Sequence, residues 1–109
     1  MKSNNFITLK SKKDFDNLIK NSKTISNDVY LIKFVFTSLD KSRYAIAASK
    51  KHFKTAVLRN KIKRQIRTYV SQLNYVKIFD MLIIIKSNYK TSEYALNADK
   101  FNNLYNKIK

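Results

Sequence analysis

Eight cationic side chains fall within residues 49–67: Lys50, Lys51, Lys54, Arg59, Lys61, Lys63, Arg64 and Arg67. Ser49 opens the stretch and Asn60 sits inside it. The chemistry such residues can perform is phosphate binding. A guanidinium is a rigid fork that meets two phosphate oxygens at once, and an ammonium is a compact point charge. All four arginines of the chain lie between Arg43 and Arg67, while 19 lysines carry the rest of the positive charge. Asn60 can both donate and accept a hydrogen bond, which suits a nucleic-acid contact or the bonding at a helix start. From Lys41 to Phe79 there is no acidic residue, and these 39 residues hold 11 of the 23 basic ones. The other 70 hold 12 basic and 7 acidic residues, a net of +5. A solvated helix face normally mixes both signs to gain i, i+4 pairs. A face without acids repels itself unless an anion lies against it.

Other chemistries find no residues to carry them. The absence of Cys excludes disulfides, thiolate metal sites and Cys nucleophiles. His52 is the single histidine, and Asp14, Asp16 and Asp28 are scattered rather than paired. No constellation for metal-assisted hydrolysis or acid–base work is expected, so neither a catalytic nor a metal site is assigned to the protein itself. No run of about 18 apolar residues could cross a membrane, and MKSNNFITLK lacks the apolar core of a secretion signal. A cytoplasmic protein that does not engage membranes is the expectation. A formal charge of +16 on 109 residues disfavours a compact state and points to a polyanionic partner. A hydrophobic content of 44% with 13% aromatics is too apolar for a disordered basic tail. One domain spanning 1–109 is expected, large enough to bury roughly two-thirds of its chain surface. Gly and Pro are absent, so turns needing positive φ would have to use Asn or Asp. Twelve Asn and twelve Ile beside the lysines indicate a codon bias toward adenine and thymine. That bias makes the placement of charge more informative than its sum.

The elements that position these residues follow from periodicity. Phe15, Leu18 and Ile19 share one face of a short helix over Lys12 to Asn21. Val29 to Phe36 is β-branched and aromatic and reads as a strand. Alternation puts Tyr30, Ile32, Phe34 and Phe36 on one face and Leu31, Lys33 and Val35 on the other. After a polar turn over Thr37 to Ser42, Tyr44 to Ser49 reads as a second strand, antiparallel to the first. Val57 to Leu73 is the strongest helix, with Ile62, Ile66, Tyr69, Val70 and Leu73 on its apolar stripe and Thr55 as N-cap. Asn60, Lys63, Arg64 and Arg67 lie opposite that stripe, with Arg59 and Lys61 at its flanks. Met81 to Ile85 reads as a strand covered on both faces. Ser92 to Ile108 reads as a last helix, with Ser92 as a possible cap. The order α, β, β, α, β, α describes an α+β sandwich, a single small sheet packed with helices.

Ser49-Lys50-Lys51, a short spacer, then Ala56-Val57-Leu58-Arg59-Asn60-Lys61-Ile62-Lys63-Arg64-Gln65-Ile66-Arg67 resembles the signature of the bacterial ribonuclease P protein subunit. The family pattern is roughly S-K-K, three or four residues, then A-x-x-R-N-R-x-K-R-x-x-R. Lys61 stands where the family usually has Arg, Thr68 where Glu is common, Ala45 at a frequent Gly position, and Ile19 where a second aromatic is usual. The family's Gly after the first helix is replaced in the Asn21–Lys23 region.

The resemblance implies an αβ(β)βαβα ribonuclease P protein-like sandwich with a left-handed β-α-β crossover, against the usual right-handed preference. It implies a subunit of an endonuclease that removes the 5′ leader from precursor tRNA. The catalytic centre would lie in a large RNA subunit, with Mg2+ held by RNA phosphates and no cofactor bound by the protein alone. The partners implied are that catalytic RNA and precursor tRNA, with no obligatory protein partner. The R-N-R-type helix and the Ser49–Lys54 stretch would bind the RNA. A cleft between the central helix and the sheet would hold the single-stranded leader, with Phe15, Ile19, Tyr30, Lys33 and Phe34 as candidate lining. Aromatic stacking suits such a cleft because every base has a π-face, while Phe15 fits a core equally well, and alternation leaves open which strand face is lined. A ribosomal RNA-binding protein is the alternative, sharing the charge but not this spacing. A DNA regulator would need major-groove readout, and a membrane-surface protein would need the apolar helix face that the core requires.

Overall fold

Alternation makes residues 30–36 two-faced, and the unbroken apolar run 81–85 needs cover on both sides. The computed structural model, which describes residues 6–8, 12–36, 42–73 and 79–108, meets both demands with one sheet. Its elements run β1 (Phe6–Thr8), α1 (Lys12–Asn21), β2 (Lys23–Ser26), β3 (Tyr30–Phe36), β4 (Ser42–Ala47), α2 (Ala56–Ser71), β5 (Phe79–Ile85) and α3 (Tyr94–Tyr105), ending in a 3-10 turn over Asn106–Ile108. The expected polar turn after Phe36 falls largely on residues 37–41, outside the described residues.

The strand order is β1-β4-β5-β3-β2. β5 takes the centre, antiparallel to β3 and parallel to β4. β3 and β4 do run in opposite directions, but they are not partners, because β5 lies between them. The central place is the physical answer to the apolar run, since strands flank it on both edges, the α2 and α3 layer packs on one face, and α1 partly covers the other. β4, α2 and β5 form a crossover unit joining two adjacent parallel strands. Periodicity does not show the edge strands β1 and β2, although the αβ(β)βαβα order implied by the resemblance leaves room for one further strand between α1 and α2. At three and four residues they are too short to show a period, and three of the four β2 residues are exposed.

One face of the sheet carries the main core. Tyr30, Ile32 and Phe34 of β3 and Phe79, Met81, Ile83 and Ile85 of β5 pack with Ile62, Ile66, Tyr69 and Val70 of α2 and Phe101, Leu104 and Tyr105 of α3. Tyr30 meets Phe101 edge-on at 5.5 Å and donates its hydroxyl to the Asn97 carbonyl at 2.8 Å. Tyr89 donates to Gln65 Oε1 at 2.7 Å, and Gln65 Nε2 donates to the Thr91 carbonyl at 3.1 Å. These bonds tie α2 to the loop before α3 and keep the buried phenols as neutral donors. Burial pushes the Tyr105 phenol up to about 12 and those of Tyr30 and Tyr89 higher still. α1 lies against β3 and β5 on the opposite face, where its Leu18 is fully buried.

Local bonding differs from expectation at two ends. Thr55 does cap α2, its Oγ1 accepting from Leu58 N at 3.1 Å. α3 begins at Tyr94, and neither Ser92 nor a Glu93 side chain caps it. Asn97, buried within the helix, holds the preceding turn instead by donating to the Lys90 carbonyl at 2.7 Å. No described residue has positive φ. Asn27 turns the β2–β3 hairpin through its side chain, Oδ1 accepting from Val29 N and Tyr30 N at 2.9 and 2.8 Å, an Asx turn that needs no left-handed residue.

Arg43 and Asp80 face each other across β4 and β5. Nε and Nη2 of Arg43 donate to the two carboxylate oxygens at 2.9 and 2.7 Å, with Asp80 almost fully buried. This pair ties the start of β4 to the start of β5 and commits the fourth arginine to the fold rather than to phosphate. Asp80→Asn keeps the shape and removes the charge opposite Arg43. It should cost about 3 kcal/mol in urea unfolding, the low end for a buried pair because Arg43 is partly exposed. A loss of about 0.5 kcal/mol or less, as for surface substitutions, would show that the brace contributes little.

Candidate nucleic-acid interface

The α2 sequence has one apolar stripe, so burying that stripe dictates what the opposite side presents. Ile62, Ile66, Tyr69 and Val70 are buried, while Asn60, Lys61, Arg64 and Arg67 are exposed and Lys63 is half-buried. No acid occupies the first turn of α2. Cations near a helix N-terminus oppose the helix dipole, and an external anion would relieve that repulsion. Arg67 lies close enough to β4 that its charge acts on the half-buried Tyr44 phenol, which burial pushes up and Arg67 pulls down.

The loop into α2 extends this surface. Lys50, Lys51 and Lys54 are exposed, with Ser49 beside them. Ser49 Oγ accepts from Lys51 N at 3.0 Å, and the Ser49 carbonyl accepts from Phe53 N at 2.8 Å. Phe53 is buried and pins the loop. Arg59 differs from the other helix arginines. It is half-buried, and its Nη1 donates to the Phe53 carbonyl at 2.8 Å. Sequence reasoning missed this lock. The available signal was Phe53 itself, an aromatic residue isolated in a polar loop and six positions before Arg59. His52 is an exposed loop residue whose ring meets Phe53 edge-on. Among the described residues no group of three His, Cys, Asp or Glu side chains could hold a metal, and no helix is long and apolar enough to cross a membrane.

The candidate cleft residues separate onto different sides of the sheet. Tyr30 and Phe34 are 0% and 5% exposed, on the face that packs against α2 and α3. They are core residues, and the expectation that they line a cleft is corrected. Among the described residues, the space between α2 and the sheet is filled by their rings and the α2 stripe. Lys33 is half-buried on the other face, the one α1 crosses. Phe15 is half-buried on α1, and Ile19 is 55% exposed. Leu31, Val35, Ala45, Leu82 and Ile84 share the face of Lys33 by register and are likewise half-buried. α1 therefore covers this second face only in part.

An acid-free cationic helix face and loop on one side of a small α+β sandwich define the class: a nucleic-acid-binding protein. The family model described as Ribonuclease P matches residues 4–109. The ribonuclease P protein component of Ureaplasma urealyticum is 34% identical over 105 residues, covering 95% of this chain and 89% of the relative. That of Acholeplasma laidlawii is 31% identical, covering 94% and 89%. The solved ribonuclease P protein of Thermotoga maritima superposes with a TM-score of 0.82 at 27% identity, covering 94% of this chain and 97% of that one. The chain belongs to the ribonuclease P protein family, and its place is that of the protein subunit in an assembly that processes tRNA.

Arg64 is exposed, so Arg64→Ala should change unfolding free energy by about 0.5 kcal/mol or less. Binding to a bacterial ribonuclease P RNA should weaken, and the salt slope should fall by about 0.7–0.9, one phosphate contact. A melted variant, or an unchanged slope, would contradict this placement.

Proposed function

We propose that loop 49–54 and the outer face of α2 bind the catalytic RNA of ribonuclease P, and that the α1-side face of the sheet holds the 5′ leader of precursor tRNA. The observation that carries the first half is the exposed row Asn60, Arg64 and Arg67, opposite a buried stripe and unaccompanied by acids. Phosphate contacts of this kind set position and orientation on a folded RNA without reading its sequence. For the leader, the partly covered face offers the half-buried ring of Phe15 beside Ile19 on α1 and the cation of Lys33 on β3. Ring stacking and a phosphate contact together tolerate any leader sequence. The chain's own role is to bind and orient. Cleavage of the leader belongs to the RNA subunit, with Mg2+ held by RNA phosphates, in the cytoplasm.

The purified chain, freed of RNA, should cleave no precursor tRNA. Added to a bacterial ribonuclease P RNA at low Mg2+, it should raise the rate of 5′ maturation. Specific cleavage by the RNA-free protein, or no effect on the RNA-catalysed rate, would overturn the proposal.

Phe15→Ala should weaken affinity of the assembled enzyme for precursor tRNA by about 1–3 kcal/mol if one base stacks fully, and by less if the aliphatic Ile19 completes only half a platform. Affinity for mature tRNA should stay nearly constant. Because Phe15 is only half-buried, its melting temperature should drop far less than the loss of about 3–5 kcal/mol for a core Phe would produce. Equal losses for precursor and mature tRNA would remove Phe15 from the leader site.

A further inference from the structure

Three lysines in an exposed loop of five residues, Lys50 to Lys54, repel one another and would sample many conformations. Ordering such side chains on binding costs affinity, and a group held in place beforehand avoids that cost. The loop is not left loose. Its middle is pinned by the buried Phe53 ring. Its start is closed by Ser49, which accepts Lys51 N at Oγ and Phe53 N at its carbonyl. Its end is closed by Arg59, one turn into α2, which donates Nη1 to the Phe53 carbonyl at 2.8 Å. Thr55 Oγ1 fixes the helix start between these two closures. The side chains that close the two ends of the loop, Ser49 and Arg59, are thus turned inward on it, whereas Arg64 and Arg67 are exposed.

We propose that Arg59 and Ser49 are positioning residues, which hold Lys50, Lys51 and Lys54 as one preorganised phosphate-binding group. The inference rests on the RNA-binding reading above and goes beyond it, because it assigns two residues of the cationic stretch to the loop rather than to RNA.

The test is the salt dependence of affinity for a bacterial ribonuclease P RNA, measured by anisotropy. Ser49→Ala and Arg59→Ala are each compared in two backgrounds, the natural loop and one carrying Lys50→Ala, Lys51→Ala and Lys54→Ala. Each phosphate contact contributes about 0.7–0.9 to the slope of log affinity against log salt. Ser49→Ala removes no charge, yet it should weaken binding several-fold and lower the slope by at least one contact in the natural loop. It should do nothing in the lysine-free loop. Arg59→Ala should lower the slope by more than one contact in the natural loop and leave it nearly unchanged in the other. An unchanged slope for Ser49→Ala, or the same loss from Arg59→Ala in both backgrounds, overturns the inference while leaving RNA binding intact. Should Arg59→Ala fail to fold, the Ser49→Ala comparison decides by itself. Absence of salt-dependent RNA binding by the unsubstituted chain would sink the RNA-binding reading and this inference with it.

Discussion

The burial of one stripe on α2 governs the arrangement of this molecule. Ile62, Ile66, Tyr69 and Val70 fit against the sheet face built by Tyr30, Ile32, Met81 and Ile83. A helix that buries one stripe has no freedom left about its own axis, so the cationic side must face solvent. The same contact closes the space between helix and sheet. It also connects the two parallel strands β4 and β5, whose junction is braced by the Arg43–Asp80 pair. Core, crossover and cationic surface are therefore one structural decision.

The second consequence concerns charge. A formal +16 on a chain of this length opposes compactness, and the acid-free stretch concentrates that repulsion on one side. The core and the tyrosine hydrogen bonds among Tyr30, Tyr69, Tyr89, Gln65 and Asn97 hold the fold against it. The acids that do occur act elsewhere. Asp80 is committed to Arg43, and Asp28 pairs with Lys100 at the surface, far in sequence from the cationic stretch. Nothing on α2 neutralises its outer face from within the helix, which leaves that face to a polyanion.

The two faces of the sheet are unequal, and the inequality sets which surface is free for a second ligand. Two helices close one face. A single ten-residue helix crosses the other, burying Leu18 and leaving Phe15, Lys33 and their neighbours half-covered. In the proposed function, this partly covered face, with Lys33 on β3, is the one that takes the single-stranded leader.

Much of this was legible in the residues themselves. The spacing of Ile62, Ile66, Tyr69 and Val70 determined which side of α2 is cationic. Thr55 marked its start, and the alternation of residues 30–36 separated Lys33 from Tyr30 and Phe34. The motif from Ser49 to Arg67 identified the family, because it is local and its register survives any packing. Tertiary structure alone decided which strand face is core, since alternation is symmetrical until helices choose a side. Two helices chose the side of Tyr30 and Phe34, and that choice removed both from the cleft. It also decided that β5 lies between β3 and β4, that the short edge strands exist, and that Arg59 turns toward Phe53. Each of these depends on partners distant in sequence or on the path of a loop, and no periodicity within one segment encodes them.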